Sequence, residues 1–195
     1  MRSALALALV LTAASASAQT DDPALVTAAA AGDVARLRAL VSSGTGLRAR
    51  NRDGETALHV AASHGQTAAV VLLLDLGADV NVRDVAGHTP LHAAAADSDG
   101  RVVEKLLARD AAVDLWDDDG DTPLHAAARR GNSAAVAALC AHGADPRARN
   151  EAGQTPLDAA SEERDRLGRD GVQDIGRDQV LELLQQKDAC AGARR

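Results

Sequence analysis

The chain has 195 residues and a formal net charge of −7, and it contains one Trp but neither Phe nor Tyr. An acidic chain almost without aromatic rings lacks both the basic face and the stacking side chains of a nucleic-acid binder. A compact globular core or a lipid interface would ordinarily use aromatic residues for their large buried area, so both are disfavoured. The apolar residues are mostly Ala and Leu, whose small or flexible side chains suit closely packed short helices.

The N-terminal segment is typical of a secretory signal peptide. Arg2 precedes an apolar run from Ala4 to Ala14, and Ala16 and Ala18 form a small-residue cleavage site before Gln19. The run has 11 residues, whereas a bilayer-spanning helix needs about 20. We therefore predict that residues 1–18 are removed and that the protein is periplasmic or secreted, without membrane contact after cleavage. Two alternatives stay open: a leader that is not cleaved, which would make the protein a membrane-tethered adaptor, and an alanine-rich helix extending the N-terminal end.

A four-residue phrase recurs every 33 residues along the rest of the chain. Its copies are Thr56-Ala57-Leu58-His59, Thr89-Pro90-Leu91-His92, Thr122-Pro123-Leu124-His125 and Thr155-Pro156-Leu157-Asp158. An Asn or Asp stands five residues before each Thr and a Gly two residues before it, as expected of a turn. An Ala-rich stretch, a Gly and an apolar run at helical spacing follow each phrase. This period predicts stacked units of turn, short helix and longer helix, each packed on its neighbours.

The full pattern of one unit resembles the ankyrin repeat. T-P-L-H-x-A-A is followed by Gly, by V-x-x-L-L and by Gly77-Ala78-Asp79-Val80-Asn81, and a degenerate copy begins at Pro23 in the same phase. The resemblance implies an all-α solenoid of about five stacked helix-turn-helix units with projecting turns, called fingers. The predicted bounds are 1–18 for the signal peptide, 19–50 for a degenerate N-terminal capping repeat, 51–83, 84–116 and 117–149 for regular repeats, 150–190 for a C-terminal capping repeat with an insertion at 164–178, and 191–195 for a tail.

The two end copies depart from the pattern, as the ends of a solenoid must, because they face water. The first copy lacks the phrase, and the last has Asp158 in place of His. The insertion in the last copy is rich in charge, with Arg164, Arg166, Arg169 and Arg177 among acids. Such a segment is typical of a solvated cap. A regulatory or docking loop is the alternative.

The repeated Thr and His residues are predicted to be structural. In the ankyrin family the matching Thr caps the first helix and the matching imidazole bonds to adjacent backbone, which assigns these roles to Thr56, His59, Thr89, His92, Thr122, His125 and Thr155. A zinc site would need its ligands within about 2 Å of one ion, whereas stacked helices lie about 10 Å apart. The acidic segment around Gly120 does not match a calcium loop, since Leu115 and Ala126 fall at ligand positions. We therefore predict no catalytic residue, metal or cofactor, and a protein that is not an enzyme.

The two cysteines leave two alternatives. Cys140 stands where earlier copies have Leu74 and Leu107, an inward position at which a thiol acts as a small hydrophobe. Cys190 follows the last helix, and export would permit a disulfide between the two. Either a buried free Cys140 or a Cys140–Cys190 disulfide is compatible with the sequence.

Protein binding is the predicted function, and the concave side formed by fingers and first helices is where repeat proteins bind partners. One column of equivalent finger positions reads Arg50, Arg83, Trp116 and Arg149, so the single aromatic residue replaces an arginine. The predicted partner-binding residues are Trp116, Arg83, Asp114, Asp118, Asp119, Asp121, His88, Arg129 and Arg130.

In this hypothesis Trp116 docks into a protein partner and the aspartates attract a basic surface, since Trp is enriched among interface hot spots. The alternative for Trp116 is intramolecular packing. We expect a monomeric accessory protein, with a periplasmic enzyme as one kind of partner, and a self-associating structural protein as the other function class.

Overall fold

The computed structural model describes residues 23–97, 100–169, 175–186 and 190. The predicted signal peptide and the tail at 191–195 lie outside these residues. The described part contains ten helices and no strand. They are α1 (Pro23–Ala31), α2 (Val34–Ser42), α3 (Ala57–Ser63), α4 (Thr67–Asp75), α5 (Pro90–Asp97), α6 (Arg101–Leu107), α7 (Pro123–Arg130), α8 (Ser133–Ala141), α9 (Pro156–Arg169) and α10 (Ile175–Gln185). The predicted all-α class is confirmed. None of the helices within the described ranges combines the length and apolar content that crossing a bilayer requires.

The helices form two layers, with odd-numbered helices packed on one another and even-numbered helices covering them. Equivalent leucines of α1, α3, α5 and α7 are fully buried between successive units: Leu25, Leu58, Leu91 and Leu124. Alanine pairs such as Ala94 and Ala95 have no exposed surface, so the helix axes approach closely without leaving space for larger side chains. The core is therefore a continuous stack of repeated contacts, as expected when each unit packs only on its neighbours.

Four fingers connect the units: finger 1 (50–55), finger 2 (83–88), finger 3 (116–121) and finger 4 (149–154). The second residue of each finger is an Asn or Asp whose N–H donates to the carbonyl four residues later, as in the Asp117–Asp121 pair at 2.9 Å. Successive fingers are also linked, since Asp118 N–H donates to the Ala86 carbonyl at 3.0 Å. Gly120 has a φ of 74°, a left-handed conformation that suits glycine. Its backbone lies directly against the next finger, because an added Cβ would come within 2.8 Å of the Glu151 nitrogen.

The C-terminal unit differs from the predicted solvated insertion. Helix α9 continues to Arg169 and α10 begins at Ile175, so helix occupies both edges of the segment 164–178. Arg164 and Arg166 are exposed, but Arg177 is buried and donates from Nε to the Arg129 carbonyl at 2.9 Å. The prediction of a solvated cap is therefore wrong for Arg177, because the start of α10 packs onto the end of α7.

A disulfide joins Cys140 on α8 to Cys190, and their Cα atoms are 4.3 Å apart. Both residues are buried, and the bond encloses a sequence separation of 50 residues. Val180, Leu181 and Leu184 of α10 are buried nearby in the same core. The covalent link therefore fastens the terminal unit to the unit before it.

Candidate functional site

The Thr and His residues of each phrase form a clamp between neighbouring units. In the second regular repeat, Thr89 N–H donates to His92 Nδ1 at 3.1 Å, and the Thr89 hydroxyl lies 2.9 Å from the same nitrogen. On the other side of the ring, His92 Nε2 lies 3.1 Å from the Asp121 carbonyl oxygen. Since Nδ1 accepts a backbone proton, the ring must carry its own proton on Nε2 and donate it to finger 3.

The same clamp occurs at the neighbouring units. His59 Nε2 contacts the His88 carbonyl at 3.0 Å, and His125 Nε2 contacts the Gln154 carbonyl at 3.0 Å. All three imidazoles are buried. Burial lowers the pKa of His59, and it lowers the pKa of His92 to about 4, because a charged ring would lose its hydration. These histidines are bonded to backbone in separate units, and no group of three metal-ligating side chains gathers within the described residues.

Asp158 replaces His in the last unit and keeps half of the clamp. Its carboxylate accepts the Thr155 N–H at 3.0 Å and the Thr155 hydroxyl at 2.8 Å. The bond from the Thr155 N–H lowers the pKa of Asp158, since it stabilises the carboxylate. Asp158 thus caps α9 as the histidines cap their helices, without a bond to a following finger.

The first residue of fingers 1 and 2 is an arginine that bonds to the next finger, whereas finger 3 begins with Trp116, which has no such donor to offer. Arg50 donates to the Arg83 carbonyl at 2.7 Å, and Arg83 donates to the Trp116 carbonyl at 2.7 Å. Arg83 also pairs with Asp118 at 3.0 Å. The Trp116 side chain is 56% exposed and makes no ring contact or hydrogen bond with the described residues. More than half of Trp116 is therefore open to solvent, while the rest of its surface is covered by the protein itself.

A cavity of about 330 Å³ lies in the inner corner between the fingers and the first helices. Its lining consists of Glu55, Ser63, Asp84, His88, His92, Ala93, Ala96, Asp117, Asp121, Ala126, Arg129 and Arg130. Asp121 is paired with Arg129 and accepts the Asn150 side-chain N–H at 2.8 Å. Arg129 also borders a second cavity, which lies towards Glu162 and Glu163 of α9.

His88 stands between two carboxylates that belong to successive fingers. Its Nδ1 is 3.3 Å from Asp84 Oδ2, and its Nε2 is 3.4 Å from Asp117 Oδ2. The aspartate side chains are only 9% and 5% exposed, whereas the imidazole is 45% exposed. Burial raises the pKa of Asp117, because its carboxylate has lost much of its hydration. We call Asp84 and Asp117 the central acid pair.

Eight of the nine predicted partner-binding residues fall into two groups. His88, Asp121, Arg129 and Arg130 line the cavity, while Trp116, Arg83, Asp118 and Asp119 lie on the fingers outside its lining. Asp114 serves a different contact, since its Oδ1 accepts the Asp145 N–H at 3.1 Å and links successive loops.

Sequence reasoning assigned the central acid pair to turns and overlooked its place in the cavity. A signal was present, because the second residue of the fingers changes from Asn51 to Asp84 and Asp117 and back to Asn150. The change from amide to carboxylate at the two central fingers marks the cavity.

The comparison with known families agrees with this architecture. The family model described as "Ankyrin repeats (3 copies)" matches residues 4–84, 25–115 and 91–189. Among curated proteins no match is found. The matches together span most of the chain. The paired helices, the fingers and the Thr-His clamps recur at the 33-residue interval of the sequence motif. The chain belongs to the ankyrin-repeat family.

Proposed function

We propose that this protein is a non-catalytic accessory protein that works after export by holding a protein partner in the corner between its fingers and first helices. Ankyrin repeats are generally protein–protein interaction modules, which supports the binding role. The leader pattern of residues 1–18 supports export, because a charged start, a short apolar run and a small-residue cleavage site occur in that order.

The exposed indole of Trp116 carries the proposal. A Trp buries a large rigid surface when it docks, and truncation of such a residue typically costs an interface at least about 2 kcal/mol. Trp116 projects from the finger that also bears Asp118 and Asp119, both exposed. A partner with an apolar pocket beside basic groups would match this finger in both shape and charge.

A Trp116→Ala variant tests the binding site. The purified protein and the variant would each capture partners from a periplasmic extract, and a partner identified by mass spectrometry would then be purified and titrated by calorimetry. We expect the variant to bind at least about 30-fold more weakly, with an unchanged thermal unfolding midpoint.

Ile175→Ala is the matched control, because Ile175 is another exposed large apolar residue but lies on α10. It should bind as tightly as the unmodified protein. Equal affinity of the Trp116→Ala variant would contradict the site, and a large drop in its stability would instead assign Trp116 a packing role. Recovery of only further copies of the chain would favour self-association.

N-terminal sequencing of the protein from its native compartment tests the export step. We expect the mature chain to begin at Gln19. A retained Met1 together with membrane association would favour the tethered adaptor.

A further inference from the structure

Arg83 joins finger 2 to finger 3 through two acceptors. One N–H of its guanidinium donates to the Trp116 carbonyl at 2.7 Å, and another donates to Asp118 Oδ1 at 3.0 Å. The carbonyl belongs to the first residue of finger 3 and the carboxylate to the third. A guanidinium carries five N–H donors in a planar fork, so one side chain can bridge both acceptors.

Finger 4 offers the same two kinds of acceptor to finger 3. Its first residue is Arg149, with its backbone carbonyl, and its third residue is Glu151, with its carboxylate. We call these two groups the finger-4 acceptors. The Glu151 N–H donates to the Asp119 carbonyl at 3.1 Å, as the Asp118 N–H donates to the Ala86 carbonyl at 3.0 Å. Fingers 3 and 4 are therefore in the same register as fingers 2 and 3.

The Glu151 side chain also lies where its equivalent does. A Cβ added at Gly87 would be 3.0 Å from Asp118 Cγ, and one added at Gly120 would be 3.1 Å from Glu151 Cγ. Each acid thus lies over the glycine of the preceding finger. Since both backbone and side chain repeat, finger 4 reproduces the acceptor pair that Arg83 bridges on finger 3.

The finger-4 acceptors lack the guanidinium that their equivalents have, because Trp116 stands at the position that Arg83 holds one finger earlier. Within the described residues the Arg149 carbonyl accepts no hydrogen bond, and the Glu151 carboxylate has neither a hydrogen bond nor an ion pair. Glu151 is exposed, so its carboxylate is open to a partner. The substitution at one position therefore leaves both acceptors in place without their donor.

The indole of Trp116 supplies a surface for the same group. It is 56% exposed, and no ring or cation contacts it among the described residues. A guanidinium stacks on an aromatic face through its planar π system and its charge, and Trp is the aromatic residue that attracts cations most strongly. The replacement of Arg by Trp therefore exchanges a donor for a flat face against which a donor from outside can lie.

The charge of the fingers favours the same kind of partner. Finger 3 carries four aspartates and no basic residue, whereas arginines and acids are equal in number in each of the other fingers. An excess of acid attracts a basic segment and raises its association rate. A lysine would satisfy this charge, but only a guanidinium matches both the paired acceptors and the indole face.

We propose that an arginine of the partner protein completes the series: its guanidinium lies along the Trp116 indole and donates to the Arg149 carbonyl and the Glu151 carboxylate. This inference rests on the proposed protein-binding function and names the side chain that the exposed indole recognises. The partner's arginine takes the place that Arg83 takes at the preceding finger. Recognition thus uses a contact by which this fold joins its own fingers.

Titration of the purified protein with acetyl-Gly-Arg-Gly-amide tests the proposal. Nuclear magnetic resonance would follow the amide of Glu151 and the indole N–H of Trp116, whose signal is unambiguous because the chain contains one Trp. We expect saturable shifts of both signals. The citrulline peptide should bind at least about tenfold more weakly, because it keeps the shape but loses the charge. The lysine peptide should also bind more weakly, since it lacks the fork of donors.

Substitutions at the two sides of the contact separate its parts. Glu151→Gln should weaken the arginine peptide by about threefold to tenfold. Glu104→Gln is the matched control, since Glu104 is exposed on α6, outside the fingers, and it should leave the affinity unchanged. Trp116→Arg restores the residue found at this position in the other fingers. Its own guanidinium should occupy the finger-4 acceptors, which abolishes peptide binding and raises the urea concentration at the unfolding midpoint.

Absence of saturable shifts, equal binding of the citrulline or lysine peptide, or equal affinities in Glu151→Gln and Glu104→Gln would overturn the arginine site. So would a Trp116→Arg variant whose unfolding midpoint does not rise, because the acceptors would then lie out of reach of position 116. Loss of the captured partner in Trp116→Ala without any binding of the arginine peptide would remove this inference and keep the proposed function. Peptide binding at the indole with unaffected capture by Trp116→Ala would do the reverse.

Discussion

His92 donates its Nε2 proton to the Asp121 carbonyl at 3.1 Å, across 29 residues of sequence. Nδ1 accepts the Thr89 N–H at 3.1 Å, which it can do only while the ring is neutral. A charged ring would still donate from Nε2 to finger 3 but would lose the bond from Thr89, so the cap at the start of α5 is tied to the protonation state of one buried side chain.

The first prediction is a loss of stability on mild acidification. The pKa of His92 falls from 6.5 to about 4 in the folded protein, so below pH 6.5 the unfolded chain takes up the proton first. The stabilising effect is present above pH 6.5 and is lost as the pH falls towards 4, and His59 changes in the same direction. For His92 alone the free energy of unfolding should fall by about 2 kcal/mol between pH 7 and pH 5.

Urea denaturation of the unmodified protein and of His92→Gln at several pH values measures this loss. The variant should be less stable at pH 7, and the two stabilities should converge at lower pH because the variant lacks this titration. Parallel curves would contradict the assignment.

The second prediction concerns two glycines with nearly the same backbone. Gly120 and Gly153 have φ values of 74° and 75°, so Ala at either position adopts an unfavourable conformation that costs about 1 kcal/mol. Only at Gly120 does the new Cβ meet backbone, 2.8 Å from the Glu151 nitrogen, since nothing lies within 4 Å of a Cβ at Gly153. Gly120→Ala should therefore lower the free energy of unfolding by a further 1–3 kcal/mol or so. Chemical denaturation of both variants compares them, and equal losses would show that the fingers do not pack as described.

The third prediction is that the terminal unit depends on its disulfide. Reduction should lower the free energy of unfolding by about 2–4 kcal/mol, because the bond closes a long loop. Denaturation with and without dithiothreitol measures this, and a Cys140→Ser, Cys190→Ser double variant should not respond to the reductant. Alkylation of two thiols in the unfolded protein without prior reduction would show that Cys140 and Cys190 are free.

The fourth prediction is that Arg177 fixes α10 to α7. Arg177→Met keeps most of the apolar stem but removes the donor to the Arg129 carbonyl. We expect a loss of about 1–3 kcal/mol and faster amide hydrogen exchange in α10. Arg166→Met is the matched control, since Arg166 is exposed and pairs with Glu163 three residues before it, and its effect should stay within about 0.5 kcal/mol. Similar effects of the two substitutions would contradict a structural role for the buried guanidinium.

The periodic features of this fold were predictable from the sequence because they depend on residues within one unit. Leu58, Leu91 and Leu124 recur at one interval and are buried in one column. The contacts of the central acid pair depend instead on His88, which lies on finger 2 and reaches Asp117 on finger 3. The sequence places Asp84 and Asp117 in turns, but it does not show that one imidazole contacts both of them.

The last unit was harder to predict. Its insertion breaks the 33-residue spacing, so its residues cannot be assigned to buried or exposed positions by comparison with the earlier repeats. Arg177 lies in a charged segment that reads as solvent-exposed, yet the carbonyl that it meets belongs to α7, 48 residues earlier. The sequence likewise marked Trp116 as exceptional in its column without showing that more than half of it is exposed.

Asp158 makes the last unit different from the units before it in the bonds that it can form with a neighbour. Each of the three imidazoles at this position reaches forward to the finger of the following unit. The shorter carboxylate of Asp158 bonds to Thr155 in its own unit, and it has no other hydrogen bond from a side chain or backbone within the described ranges. A finger placed after this unit would therefore lack the imidazole bond that each of the three preceding units makes to the next finger.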